Sequence, residues 1–295
     1  MNKVLAEGQF GHGGIKTKLH WLKRKSRPKY LGDATTSFDW NAGYDIETGL
    51  GIALGIPNFK LPVKNQGQSD SCGGQLASEL SAIQEAFTSK VFNERSAKYA
   101  YSHIFYPQGG TTVSKLENIL LTRGVSRESL VSSYQNGQPP SEPFMEDLSY
   151  ETPVIDQDAL TAIDTQILSV DMTNIDTVAQ AIQSLNGVGM LFSGQNNGTW
   201  LGATPVLPVG TSNLWEHFVL LGKCRMLNGK KQIGLLNSWG NTVGDGGWQY
   251  LGEEWFGSKY VLDIFAVYKS STPLPAYSPS ALQMLITWFV KFFSN

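Results

Sequence analysis

Apolar positions alternate with polar ones in two different rhythms along this chain. From Gln75 to Phe87, Leu76, Leu80, Ile83 and Phe87 recur at the spacing of one helix face. Val113, Leu116, Ile119 and Leu120 repeat that rhythm, and a third helical pattern runs from Ile175 to Leu185. Beyond Val188 the rhythm changes. Val188–Phe192, Phe218–Leu221 and Ile233–Leu236 are short apolar runs bounded by Gly, Asn or charged residues, which predict buried strands. Helices first and strands later imply an α+β protein with a helical half and a sheet half.

Three stretches fall outside these rhythms. Residues 1–36 form a glycine-rich, then basic, N-terminal arm, with Lys16, Lys18, Lys23, Arg24, Lys25, Arg27 and Lys29 interleaved with His20, Trp21 and Tyr30. Its simplest reading is a solvated arm or a strap on an acidic surface; the sharper reading is an anchor to an anionic partner. Thr48–Gly55 is an insert without an evident role. Residues 271–295 open with a Pro-rich linker and end in an almost wholly apolar tail, Ala281–Phe293. Such a surface needs cover from its own domain, a sister subunit, or a membrane or protein partner. The body of the protein is then residues 37–270.

Composition narrows the classes. Of 295 residues, 41% are hydrophobic, enough for a real interior, while 16% are charged, below the ~25% of average domains. The net charge of -2 supplies no global field toward nucleic acid, so no specific nucleic-acid binding is expected. Only two cysteines, Cys72 and Cys224, are present. With no disulfide framework and no leader pattern in Met1–Gly14, a cytoplasmic setting is expected, with virion association as the alternative.

The candidate chemistry centres on Cys72, in the run Asn65-Gln66-Gly67-Gln68-Ser69-Asp70-Ser71-Cys72-Gly73-Gly74. A thiol is a weak nucleophile until ionised, and a helix N-terminus or an imidazolium lowers its pKa. The predicted helix begins just after Cys72, with Asp70 or Ser71 available to cap it. Far downstream stand Glu216-His217-Phe218 and Asn237-Ser238-Trp239-Gly240. His217 can exchange the proton and Asn237 can hold its imidazole. The Gln66 amide and the Cys72 N–H can receive an oxyanion, and Trp239 can shield the His–Asn bond. Singly, each residue is ordinary: a buried cysteine, a core histidine, a turn.

Together, in this order, Gln66, Cys72, His217 and Asn237 resemble the papain-like cysteine peptidases. The resemblance covers roughly residues 37–270 and begins at Ser37-Phe38-Asp39-Trp40. It implies a two-lobe fold, a helical lobe built on a central nucleophile-bearing helix and an antiparallel, barrel-like sheet lobe. It also implies Gly109 and Gly110 as a cleft wall that pairs with an extended substrate. Peptide-bond hydrolysis through a thioester would follow, on a peptide or protein substrate, with no metal or organic cofactor. The chain departs from the pattern in places. Gly73-Gly74 follow the nucleophile where an aromatic is usual, leaving space near the oxyanion site. Asp70 replaces a glycine, so its charge can raise the Cys72 pKa. Val243 replaces a tryptophan. Phe218, with Trp215 close by, is expected to make the main specificity pocket shallow. Two alternatives stand beside hydrolysis of ordinary peptides. One is an amidase acting on small cell-wall or conjugate peptides; the other is a non-catalytic binding or assembly module on the same fold.

Overall fold

The computed structural model describes residues 10, 11, 13–15, 27–30, 32, 37–164 and 166–269, together with the backbone of 277–278. Ala281–Phe293, the apolar tail, lies outside the described residues.

The helical lobe is organised around α2. Strand β2 (Tyr44–Asp45) leads into α1 (Ile46–Leu54). Asp45 caps α1 by accepting the Glu47 N–H at 2.9 Å, and Gly55 ends it in the left-handed region. The insert of unassigned role is therefore most of a helix, with Leu50 buried in it. Helix α2 (Cys72–Ser89) buries nearly its whole surface, far more than the single stripe the sequence predicts. Around it pack α3 (Ala97–Ile104) and α4 (Val113–Thr122), with α5 (Glu142–Glu146) and α6 (Pro153–Leu160) completing the lobe.

The two glycines after Cys72 do not leave open space. A Cβ on Gly73 would lie 2.2 Å from the Thr111 methyl, and one on Gly74 would lie 2.6 Å from Tyr101 Cβ and 2.7 Å from the Ala97 carbonyl. Glycine there lets α3 and the 109–112 segment close onto the first turn of α2. Ser71 is the N-cap residue, but its side chain makes no cap bond. Its hydroxyl instead meets Ser69 Oγ at 2.7 Å and the Gln75 amide at 3.1 Å.

The second lobe is a curled sheet. Its strands are β1 (Lys29–Tyr30), β3 (Gln166–Val170), β4 (Val188–Gln195), β5 (Leu214–Leu227), β6 (Lys230–Leu236), β7 (Trp248–Gly252), β8 (Val261–Tyr268) and β9 (Tyr277–Ser278). They lie in the order β7-β6-β5-β4-β8-β3-β1-β9, and β2 pairs with β5. The neighbours from β7 to β3 are antiparallel. Helix α7 (Ile175–Ser184), capped by Asn174, packs on the outer face. One side of the sheet buries Val219, Leu221 and Ile233 with α7, while the other buries Phe218, Leu220 and Leu236 against α2. Period-two alternation along β5 therefore feeds two cores at once.

Most of the described part of the arm is packed against the body rather than solvated. Arg27 is buried, paired to Asp263 at 2.7 Å and to Glu117, and Lys29–Tyr30 adds a parallel strand beside β3.

Candidate active site

Cys72 opens α2 at the seam between the lobes and is fully buried. His217 lies on β5, paired opposite Phe192 of β4. Asn237 follows β6, and its N–H is held by the Gly247 carbonyl at 3.0 Å. His217 Nε2 lies 3.0 Å from Asn237 Oδ1.

The side-chain network assigns the protons along this line. Gln249 Nε2 donates to two backbone carbonyls, Trp200 at 2.6 Å and Gly202 at 2.9 Å, so its Oε1 must face the other way. That oxygen accepts from Asn237 Nδ2 at 2.8 Å. Asn237 therefore turns Oδ1 toward His217, and His217 carries its proton on Nε2. Trp239 covers this bond, its ring 4.8 Å from the imidazole. Gln249 has no recognisable sequence signal; it is one of several buried residues in a strand.

Gln66 is oriented in the same way. Its Oε1 accepts the Ser238 hydroxyl at 2.6 Å, and its N–H donates to the Ser238 carbonyl at 2.9 Å. Nε2 is thereby aimed into the cleft. It donates to the Ser69 carbonyl at 2.7 Å and to the Gly11 carbonyl at 3.0 Å.

The second of those acceptors belongs to the N-terminal segment, which threads the cleft. Gly11 N–H donates to the Gly67 carbonyl at 2.9 Å, and Gly14 N–H donates to the Glu216 carbonyl at 3.1 Å. Thr111 N–H donates to the Gly13 carbonyl at 2.7 Å, and the Thr111 carbonyl accepts the Ile15 N–H at 2.7 Å. The Trp239 indole N–H reaches the Gly11 carbonyl at 3.2 Å. The fit admits only glycine. A Cβ on Gly11 would fall 1.9 Å from the Ser69 carbonyl oxygen, and one on Gly13 would fall 1.7 Å from that of Asp70.

Burial pushes Cys72 up to about 12, and the Asp70 charge adds to the rise. The backbone N–H groups of Phe218, Gly13 and Gly73 oppose it without winning. The ionisation expected of Cys72 is thus not favoured here, because desolvation holds the thiol protonated.

Gly109 and Gly110 border the cleft beside Thr111, but the backbone pairing with the threaded segment is made by Thr111. A Cβ on Gly110 would crowd the Gly13 carbonyl at 2.6 Å. Trp215 and Phe218 do not share a pocket. They project from opposite faces of β5: Trp215 packs with Phe192, Trp200 and Trp239, while Phe218 faces α2 near Gly73. An odd separation along a strand places two side chains on opposite sides. Cys224 is a second free, buried thiol on β5.

No family model matches the sequence, and no curated protein matches it. Solved structures do. Xylellain, a cysteine protease from Xylella fastidiosa, superposes with a TM-score of 0.67 at 16% identity, covering 91% of this chain and 99% of that one. The chain has the papain-like fold. Procathepsin B S9 from Trypanosoma congolense gives a TM-score of 0.60 at 13% identity, covering 88% of this chain and 86% of that one. Digestive procathepsin L 3 of Tenebrio molitor larval midgut gives 0.58 at 15% identity, covering 85% and 79%. The groove between the helical and sheet lobes holds Phe10, Gly11 and Gly13–Ile15.

Proposed function

We propose that this chain is a thiol peptidase of the papain-like type, held latent by its own residues 10, 11 and 13–15. The observation that carries this reading is a peptide backbone gripped on both sides of Cys72, with one of its carbonyls on Gln66 Nε2. An amide oxygen resting on that donor stands where a substrate's developing oxyanion would be received.

With the segment displaced, Cys72 gives its proton to His217 and its sulfur attacks the substrate carbonyl. The C–N bond then breaks, and the amine leaves with the proton returned by His217. Water adds to the thioester through the same base, releasing the acid and restoring the thiol. Asn237, fixed by Gln249, holds the imidazole in plane throughout. The test is active-site labelling with a thiol-directed epoxide, followed by a peptide library. Modification of Cys72 and loss of all turnover in Cys72→Ala support the reading; turnover by Cys72→Ala ends it.

One observation favours a second reading within the same chemistry. The cleft's present occupant is Gly11, Gly13 and Gly14, with no room for a Cβ at the first two. Such a slot suits an amidase acting on small residues of conjugate or cell-wall peptides. A library dominated by glycine and alanine on both sides of the scissile bond would select it.

A further inference from the structure

The two rims of the cleft are tied to one carboxylate that plays no part in the chemistry above. Glu142 is the first residue of α5, a short helix of the helical lobe. One of its oxygens accepts the Asp70 N–H at 2.5 Å, and the other accepts the Tyr101 hydroxyl at 2.6 Å. The same hydroxyl oxygen accepts the Gly110 N–H at 2.7 Å. Asp70 belongs to the nucleophile loop, two residues before Cys72. Gly110 precedes Thr111, whose N–H and C=O grip the backbone in the cleft.

We propose that Glu142 is a positioning residue: through Asp70 and the Tyr101–Gly110 link, it fixes the spacing between the nucleophile loop and the Thr111 edge that grips peptide backbone. This rests on reading the cleft as the peptide groove.

The donor inventory supports the role. Asp70 N–H and the Tyr101 hydroxyl are both donors toward Glu142, so two acceptor oxygens are required, and an ionised carboxylate supplies them. Burial, and after it the Glu142 charge, raises the Tyr101 pKa far above its ordinary value. Tyr101 therefore keeps its proton for Glu142 and a lone pair for Gly110. Glutamine at 142 would offer one acceptor and one amide N–H, leaving one of the two links without a partner. Phenylalanine at 101 would cut the Gly110 arm alone. Backbone pairing at Thr111 needs its N–H and C=O aligned to well within hydrogen-bond tolerance, so a loosened Gly110 weakens the grip.

The test uses the full-length chain, in which Thr111 holds residues 13–15 over Cys72. Iodoacetamide modification of Cys72 and Cys224 is timed by peptide mass spectrometry at neutral pH. Cys224, buried elsewhere in the sheet, reports any general loosening. Glu142→Ala and Tyr101→Phe are each expected to speed Cys72 modification about tenfold or more, while Cys224 changes less than twofold. Glu142→Gln should fall between wild type and Glu142→Ala. The double variant should be no faster than the faster single, because both act through one link. Unchanged Cys72 rates in the singles, parallel acceleration of both cysteines, or multiplicative effects in the double variant would each overturn the proposal. Hydrolysis is not measured, so a failed peptidase reading leaves this outcome intact.

Discussion

The Phe10 ring stacks on the Trp239 indole, with centroids 5.4 Å apart and planes 10° from parallel. The residue expected to shield the His217–Asn237 bond is thus itself shielded by the N-terminal segment. Phe10 covers apolar surface on the sheet-lobe side, while the glycines after it fit the narrow part of the cleft.

Gly13→Ala should open the site. Its Cβ would meet the Asp70 carbonyl at 1.7 Å, and backbone cannot yield as a side-chain tip can. Iodoacetamide should then modify Cys72 at least about tenfold faster than in wild type, with Cys224 unaffected. Equal rates would show that the segment does not protect the thiol in solution.

In that opened variant the proposed triad can be ranked by kcat/KM. His217→Ala should cost roughly 10²–10⁴-fold, the usual worth of a general acid–base group. Asn237→Ala should cost less, because Asn237 orients the base and exchanges no proton. Gln249→Leu should approach Asn237→Ala, since without its carbonyl the Asn237 amide is free to turn over. Wild-type kinetics in Gln249→Leu would refute the orientation argument.

Asp164 offers a pH prediction. It is buried, with neither carboxylate oxygen hydrogen-bonded among the described residues, and burial pushes it up to about 8. In the unfolded chain such a group ionises near pH 3.9. The folded state therefore holds the proton more tightly. The contribution is fully present below pH ~4 and is lost as pH rises toward about 8. Glu79, also pushed up to about 8 chiefly by burial, acts in the same direction. Asp164→Asn should match wild-type Tm near pH 4 and exceed it increasingly toward pH 8. Thermal melts across that range decide it.

Gly74→Ala tests the packing of the nucleophile helix. The added methyl would press on Tyr101 Cβ and the Ala97 carbonyl, so urea unfolding should show a loss of about 1–3 kcal/mol despite alanine's better helix propensity. A gain in stability would mean that α3 can withdraw.

Much of the architecture is legible in the chain. Helices α2, α4 and α7 and strands β4, β5 and β6 follow directly from apolar spacing: the helices repeat apolar residues at helical intervals, and the strands are apolar runs buried on both faces. Helix α3 hides because its buried residues include Lys98, Tyr99 and Ser102, whose polar atoms are satisfied by partners distant in sequence. The order Gln66, Cys72, His217, Asn237 is visible; the orientation of their amides is not, since it depends on Ser238 and Gln249 across the fold. Trp215 and Phe218 do not share a pocket because residues three apart on a strand face opposite sides, and the apolar run that predicts the strand begins only at Phe218, leaving Trp215 outside it. Glu142 carries no signal at all, lying far along the chain from both rims it holds. The glycine-rich start reads as a solvated arm or a strap, yet glycine is also what a chain needs to pass between two backbone walls.

The cleft segment is fastened downstream by Lys29–Tyr30, which sits in the sheet between β3 and β9. A ligand tethered this closely acts at an effective concentration set by its linker, commonly in the millimolar range. A free peptide would then have to compete with a partner that dissociates but cannot diffuse away. Kinetics on the intact chain would report weak substrate affinity even if the groove itself binds well, and a single cut in the linker would change the apparent KM without altering one residue that touches substrate.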